Sequence, residues 1–427
     1  MKTAAIIAEY NPFHNGHRYQ IEQTRRQTGA DYILAVISGD FVQRGAPAFA
    51  PKHLRAKLAL LGGADAVIEL PALYATASAE FFAQGAVALL GQLNAIDILS
   101  FGSELGDLSL ITELARFLTD NHSKLSLFTN HFLKEGLSFP AAREQALRKL
   151  LSGPPCGAGS FPLSMDLACG LFSSPNNILA LEYCKALYAS KSPIRPFTIQ
   201  RQGAGYHDAA LGDSGSLIAS ASAIRKALSH SPASIEAYVP REIYRSLSET
   251  GLLTAPLTED DFSALLYYKL LMEQEQGFAS YLDCTGSLSD KIRKNLPFFD
   301  SFTGFCTRLK SKDLTYTRIS RIFIHILLNL KTPGCFLPAL PDRRLPAPYA
   351  RLLGFRESAS PLLARIKKNS NIPLIAKLAS AKRLLDSEAY HLLNSDIRCS
   401  MLYNQTASRR FGKAWLNEFQ QPPIILP

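Results

Sequence analysis

Several absences in the 427-residue sequence narrow what it can be. No stretch approaches ~18 consecutive apolar residues without charge, so no membrane span is expected. The seven cysteines, Cys156, Cys169, Cys184, Cys284, Cys306, Cys335 and Cys399, are odd in number, scattered and never in a C-x-x-C pair. That argues against a disulfide framework or a cysteine-built zinc site and for reduced thiols in a cytosol. Neither G-x-x-x-x-G-K-[ST] nor G-x-G-x-x-G occurs, so P-loop and dinucleotide-fingerprint readings have no anchor. There is no internal repeat and no Gly/Ser-rich linker. The apolar opening Met1–Ala8 looks superficially like a signal peptide, but it is too short and ends at Glu9, so it reads as a strand.

The composition is that of a globular chain, 47% hydrophobic and 19% charged, with length for two or three domains. The net charge of +10 is uneven. Ser301–Pro427 holds 20 Lys/Arg against 7 Asp/Glu, a surplus of 13, and the remainder is slightly acidic. A basic last third fits a polyanionic partner as well as it fits a solvated basic surface.

Apolar runs and turn residues alternate through the first half. Residues 3–9 read as a strand, Asn11-Pro12 as a break and Gly16–Arg26 as a helix. Strands follow at Tyr32–Ile37, Ala66–Leu70 and Ile96–Phe101, with helices at Lys52–Leu61 and Ala79–Leu93 between them. The alternation predicts an α/β fold with a parallel, doubly wound sheet. Residues 105–190 read as mainly helical, interrupted by a mobile loop at Ser152–Pro162, and Phe197–Arg201 reads as a fifth strand. A helix begins at Ser220 and a domain boundary is expected near 230. Residues 231–427 carry few strand signals and many helical ones, which predicts a mainly α-helical C-terminal domain.

The chemistry concentrates after the first strand, in Glu9-Tyr10-Asn11-Pro12-Phe13-His14-Asn15-Gly16-His17. Two histidines flank a glycine where a helix begins. A helix start offers unpaired N–H groups and a positive dipole end, and Gly16 allows close approach of a nucleotide. The imidazoles can donate to phosphate oxygens as charge builds on them during phosphoryl or adenylyl transfer. The competing reading, a zinc site built on H-x-x-H, lacks the further Cys, His or Glu ligands that tetrahedral zinc needs, so no metal site is assigned. A second constellation, Ser220-Ala221-Ser222-Ala223-Ile224-Arg225, places hydroxyls and an arginine at another helix start, which suits phosphate or a plain N-cap.

Together these two motifs resemble the HIGH-type nucleotidyltransferase superfamily, although Ala221 stands where that superfamily often has a hydroxyl residue. The resemblance implies a Rossmann-like HIGH-type nucleotidyltransferase domain with a parallel sheet. Ala8–His17, Ser38-Gly39-Asp40-Phe41-Val42-Gln43-Arg44-Gly45, Ile68–Pro71, Phe101–Glu104, Pro175–Leu179 and Gly203–Asp208 carry it further. In concert they resemble the tRNA(Met) cytidine acetate ligase family, closely over the N-terminal half and more loosely through Lys310–Arg321 and Tyr349–Phe355. Asp40 stands where that family more commonly has Asn.

That resemblance implies a fold like the nucleotidyltransferases, activation of acetate by ATP as acetyl-adenylate, and transfer to N4 of the wobble cytidine of elongator tRNA(Met). It implies His14 and His17 as catalytic residues. ATP would lie against Ile7, Ala8, Glu9, Tyr10, Asn11, Pro12, Phe13, His14, Asn15, Gly16, His17, Arg18, Tyr19 and Gln20, with further contacts from Gly102, Asn176 and Arg201. Ser222 and Arg225 of the second motif complete the expected ATP set. Mg²⁺ is expected with the triphosphate, without a carboxylate cluster to announce it.

For tRNA the candidates are Arg44 after the second strand and Lys310, Lys312, Arg318 and Arg321 in the basic third, with Arg365, Lys367-Lys368 and Lys382-Arg383 adding charge. Arg318 and Arg321, three apart, share a helix face. Tyr316 and Tyr349 are candidate stacking residues. Lys52 and Arg55 are weaker candidates for the same cleft mouth as Arg44. Glu9 can orient His14 or cap the fold, and His207 with Asp208 can deprotonate the cytidine amine or form a turn. Two further functions share parts of this pattern: an adenylyltransferase for a small phosphorylated metabolite, which leaves the basic extension unused, and a non-catalytic RNA-binding protein, which leaves His14 and His17 unused.

Overall fold

In the computed structural model, residues other than 138, 152–170, 173, 202–216, 229–230, 254–255, 333–346 and 413 are described. The Ser152–Pro162 loop, the Gly203–Asp208 motif with His207 and Asp208, and Cys156, Cys169 and Cys335 therefore lie outside the described residues. Strand β1 (Thr3–Ala8) leads into helix α1 (Asn15–Thr28), and β2 (Tyr32–Ser38) follows. A two-strand hairpin, β3 (Phe41–Val42) and β4 (Ala46–Pro47), which the sequence does not announce, precedes helix α2 (Lys52–Leu61). Then come β5 (Ala66–Leu70), β6 (Ile98–Ser103) and β7 (Arg195–Gln200), with helices Ala79–Leu93 and Pro175–Ala189 among the crossovers.

These strands pair in the order β5-β2-β1-β6-β7, all parallel, with Thr3 opposite Tyr32 and Ala4 opposite Ile98. Parallel strands covered on both faces read as continuous apolar runs, as Tyr32-Ile33-Leu34-Ala35-Val36-Ile37 does. Alternate side chains enter different cores: Leu34 and Val36 pack with Ile68 on one face, and Ile33, Ala35 and Ile37 with Val67 on the other.

The C-terminal half is mainly helical, as expected, and also adds strands to the sheet. After helices including Ser263–Glu273, Phe302–Leu309 and Tyr316–Leu327, the chain returns to the sheet as β8 (Ala350–Arg356), β9 (Leu374–Ile375) and β10 (Ile424–Leu426). Strand β8 runs antiparallel to β5, and β9 and β10 pair with β8 in parallel. The sheet thus has eight strands among the described residues and is drawn from both sides of residue 230. Strands β9 and β10 are short, and all three late strands hold their form through non-local pairing, which leaves little periodic signal. Gly354 is needed where β10 crosses, because a Cβ there would lie 2.9 Å from the Ile424 carbonyl oxygen.

The helical region is joined to the hairpin rather than hung from a linker. Its core of Phe262, Phe302, Phe305 and Phe323 also takes in Phe41 of β3. The Tyr403 hydroxyl donates to the Ala48 carbonyl at 2.8 Å, and the ring nitrogens of buried His325 face the Leu282 and Thr76 carbonyls at 2.8 and 2.9 Å. Cys184, Cys284, Cys306 and Cys399 are buried free thiols. Among the described residues no helix is long and apolar enough to cross a membrane.

Two charges expected near the cleft mouth are instead internal. Lys52 Nζ lies 2.9 Å from both Glu69 carboxylate oxygens and 2.9 Å from Glu418, tying the C-terminal segment to the sheet. Arg55, fully buried, donates to the carbonyls of Ala50 (2.8 Å), Glu9 (2.8 Å), Ser38 (3.0 Å) and Gly39. Their roles follow from helix position: α2 is buried along most of its length, so Lys52 and Arg55 meet carboxylates and backbone rather than solvent. Replacing Arg55 by Met would strand four buried acceptors, and we expect a loss of about 3 kcal/mol or more in urea unfolding. A change below about 1 kcal/mol would contradict this role.

Candidate active site

The β1–α1 loop is fixed on three sides. Arg55 holds the Glu9 carbonyl, Asn11 Oδ1 accepts from the Phe49 N–H at 2.5 Å, and Arg225 Nη1 donates to the Asn11 carbonyl at 2.5 Å. Tyr10 takes a left-handed conformation (φ 48°) and the Asn11–Pro12 bond is cis. Phe13 is fully buried over Gly62, where an added Cβ would come within 2.1 Å of its ring. Asn15 Nδ2 donates to the Leu217 and Ala237 carbonyls, both at 2.9 Å, which fastens the start of α1 to the second-motif region.

His14 is the N-cap of α1, and the two imidazoles lie against each other with centroids 3.7 Å apart. The Gly16 N–H donates to His14 Nδ1 at 3.1 Å, and the His14 N–H donates to His17 Nδ1 at 3.2 Å. Both Nδ1 atoms are therefore acceptors, so each neutral ring carries its proton on Nε2. Burial, with the positive charges of Arg201 and Arg225, pushes the His14 imidazole down to about 3. Burial, then His14 and Arg201, holds His17 well below the ordinary histidine range. The motif thus presents two neutral N–H donors beside a helix N-terminus, a set suited to developing phosphate charge.

These rings open on a cleft of about 380 Å³ at the carboxyl ends of the parallel strands, where ligands of such sheets bind. Of the expected residues, Ile7, Ala8, Glu9, Tyr10, Asn11, His14, His17, Gln20, Gly102, Asn176, Arg201 and Ser222 line it. So do Arg44 and Arg321. Gly16 and Tyr19 line a smaller adjoining recess with His14, His17, Gly102 and Arg201. Pro12, Phe13, Asn15, Arg18 and Arg225 line neither. Arg18 pairs with Glu242, and Arg225, in the second turn of its helix rather than the first, clamps the loop. These five shape the site from behind.

Several lining residues are not singled out by sequence as lining this cleft, although Phe101 and Leu179 lie in motifs that carry the resemblance and Arg321 is grouped there with the tRNA candidates. Phe82, Phe101, Leu179 and Tyr183 give the cleft an apolar wall, and an apolar wall is written in the same alphabet as a core. Thr317 and Arg321 come from the far helical region, and only tertiary structure brings them here. Gln43 lies within the motif that continues β2, with its backbone N–H bonded to Glu9 Oε1 at 3.0 Å; Glu9 thus holds the hairpin, not His14. Asp40 Oδ1 accepts from the Lys52 N–H at 2.7 Å and so caps α2, a task for an oxygen that Asn would also supply.

Asn176 and Arg201 face the histidines from the β6–β7 side. Asn176 Nδ2 donates to Glu104 Oε1 at 2.6 Å, which orients the amide and leaves Oδ1 to accept from a ligand. Arg44, on the β3–β4 turn, reaches across to Ser222 Oγ at 3.3 Å. Lys310 and Lys312 are exposed on the turn before helix Tyr316–Leu327, and Arg318 is half-buried. Tyr349 is buried with its hydroxyl on Asp396 at 2.6 Å, so it offers no face to a base. Arg351 and Arg365 are also occupied by the fold, on the Ala376 carbonyl (3.1 Å) and on Asp97 (3.2 Å).

Paired imidazoles at a helix start over the ends of a parallel sheet define a nucleotidyltransferase of the HIGH class, and the HIGH Nucleotidyl Transferase family model matches residues 1–415. A tRNA(Met) cytidine acetate ligase from Clostridium perfringens is 39% identical over 95% of both chains, and one from Clostridium tetani is 37% identical over 100% of both. The chain belongs to the tRNA(Met) cytidine acetate ligase family. Thermotoga maritima TmcAL bound with alpha-thio ATP superimposes with a TM-score of 0.86 at 26% identity, and its apo form with 0.89 at 27%, each over 100% of both chains.

The depressed His14 value has a pH consequence. An imidazole kept neutral in the fold but not in the unfolded chain contributes stability above pH 6.5, and that contribution is lost as pH falls from 6.5 towards 3. His14→Gln removes this dependence. Between pH 7.5 and 5.0 the wild type should lose roughly 2 kcal/mol of unfolding free energy that the variant keeps. Parallel pH profiles in urea titrations would count against a neutral, buried His14.

Proposed function

We propose that the protein is an ATP-dependent ligase that joins acetate to N4 of the wobble cytidine of elongator tRNA(Met), by way of acetyl-adenylate. The observation that carries this reading is the neutral, stacked His14–His17 pair opposite Arg201 in a nucleotide-sized cleft. Membership of the acetate ligase family supplies the substrates. ATP lies along Ile7–Gln20 with Gly102 beneath it, Asn176 reading the base or ribose edge and Arg201 meeting phosphate. A carboxylate oxygen attacks the α-phosphorus, the bond to the α,β-bridging oxygen breaks and pyrophosphate leaves. His14 and His17 donate from Nε2 to the oxygens on which charge accumulates. The cytidine amine then attacks the acyl carbon, AMP departs with the former carboxylate oxygen, and N4 loses a proton.

Mg²⁺ would accompany the triphosphate. Among the described residues no group of three His, Cys, Asp or Glu side chains is placed to hold a metal ion, so the phosphates would be its main ligands. Lys310, Lys312 and Arg318 supply positive charge for the tRNA backbone, and Arg44, exposed at the cleft mouth, guides the acceptor nucleotide.

Incubation with ATP, labelled acetate and tRNA should yield acetyl on the wobble cytidine; no acetate-dependent pyrophosphate release would overturn the reading. His17→Ala should slow adenylate formation at least about 100-fold while tRNA affinity stays within about twofold. Equal loss of both would end the proposed division of labour. Neutralising Lys310, Lys312 and Arg318 together should weaken tRNA binding and flatten its dependence on salt, by roughly 0.7–0.9 in logarithmic slope for each phosphate that is no longer neutralised. An unchanged slope would remove these residues from the tRNA surface.

A further inference from the structure

Buried polar atoms normally find partners, so those that do not call for an explanation. Eight such side-chain atoms occur among the described residues, and three belong to residues lining the cleft: Tyr10 Oη, Gln43 Nε2 and Arg321 Nε. Two of these are obligate donors, and the Tyr10 hydroxyl can donate as well. The unmet need on this wall of the cleft is therefore for an acceptor.

Gln43 and Arg321 are held near each other by backbone. Gly45, two residues after Gln43, adopts φ 78°, and an added Cβ there would lie 2.3 Å from the Arg321 nitrogen. Ser320 Oγ donates to the Gly45 carbonyl at 2.6 Å. The hairpin turn and helix Tyr316–Leu327 are therefore in direct contact where the two side chains enter the cleft. The Arg321 side chain is only 17% exposed, and its acidic neighbour Asp283 is 4.0 Å from Nε, beyond hydrogen-bond reach. This separates Arg321 from Arg318 and the exposed lysines, with which sequence spacing groups it.

The placement also matches the geometry of the reaction. Gly102 and Arg201 mark the β6–β7 side of the histidine pair, and Gln43 stands on the β3–β4 turn that follows β2, the strand on the other side of β1. In-line displacement requires the nucleophile and the leaving oxygen on opposite sides of phosphorus. The triphosphate has the α1 N-terminus and Arg201, which leaves Arg321, its Nε 4.0 Å from Asp283, to meet a single carboxylate through its remaining donors.

We propose that Arg321, with Gln43, binds the carboxylate of the acid substrate and directs one of its oxygens at the α-phosphorus of ATP. The inference rests on the acetate-ligase reading. In this step a P–O bond to the carboxylate forms, the bond to the α,β-bridging oxygen breaks, pyrophosphate carries away the electron pair, and no proton moves.

Acetate-dependent exchange of pyrophosphate into ATP, measured without tRNA, isolates the step. If the wild type shows no exchange, the acetate-ligase reading itself fails. With exchange established, Arg321→Gln should raise the KM for acetate on the order of 10- to 100-fold, with ATP affinity and tRNA affinity each within about threefold of wild type. Arg321→Lys, which keeps the charge but loses the planar fork, should fall between. Gln43→Glu leaves the helix contact untouched and sets a negative charge beside the substrate carboxylate, so it should also raise the acetate KM at least about tenfold, even if Arg321→Gln proves unfolded. An unchanged acetate KM in folded Arg321→Gln or in Gln43→Glu would overturn the proposal. So would a loss confined to ATP affinity, which would assign Arg321 to the triphosphate, or to tRNA affinity, which would assign it to the RNA surface.

Discussion

The buried guanidinium of Arg55 is the constraint on which the cleft depends. It gathers the carbonyls that end β1 and β2, those of Glu9, Ser38 and Gly39, with that of Ala50 before α2. A cation taken out of water is costly unless hydrogen bonds replace its hydration, and here four carbonyl oxygens do so. The carbonyls in turn would be stranded without it. The outcome is that the β1–α1 loop and the segment after β2 are fixed to each other through buried backbone.

Desolvation decides the chemistry above that base. The two imidazoles sit beside Arg201, and burial with this positive surrounding keeps them neutral. Neutral rings can share a stacked geometry at 3.7 Å that two imidazolium ions would resist. With both Nδ1 atoms engaged by backbone, the donors that remain point from Nε2. The positive charge of the cleft then lies with the helix end and the arginines, while the imidazoles offer neutral, directed donors. Charge and direction are thus divided between different groups, which permits strong orientation without a net proton on the histidines.

The C-terminal half is both scaffold and wall. Its late strands extend the sheet beyond β5, its Glu418 joins Glu69 on Lys52, and its helix Tyr316–Leu327 closes one side of the cleft with Thr317 and Arg321. A surplus of basic residues there does not translate directly into an RNA-binding surface. Arg351 is spent on strand-end carbonyls and Arg365 on Asp97, whereas Lys310 and Lys312 stay in solvent. Charge counted along a sequence cannot distinguish these uses, because the difference lies in what each side chain meets after folding.

Local chemistry was legible wherever neighbours in sequence are also neighbours in space. Helices Lys52–Leu61 and Ala79–Leu93 and strand Ala66–Leu70 fall where apolar runs and turn residues put them, and the His14–His17 helix start is a four-residue pattern with its own capping bonds. What only the tertiary structure decided was everything that joins distant segments. Strand β8 became a strand by pairing with β5, hundreds of residues away, and carried β9 and β10 with it; Lys52 and Arg55 were drawn inward by carboxylates and carbonyls, and Arg321 was delivered to the cleft by the contact between Gly45 and its own backbone. The physical reason is that capping and periodicity are short-range terms written in adjacent residues, whereas burial and long-range pairing depend on which surfaces meet, and no adjacent residues record that.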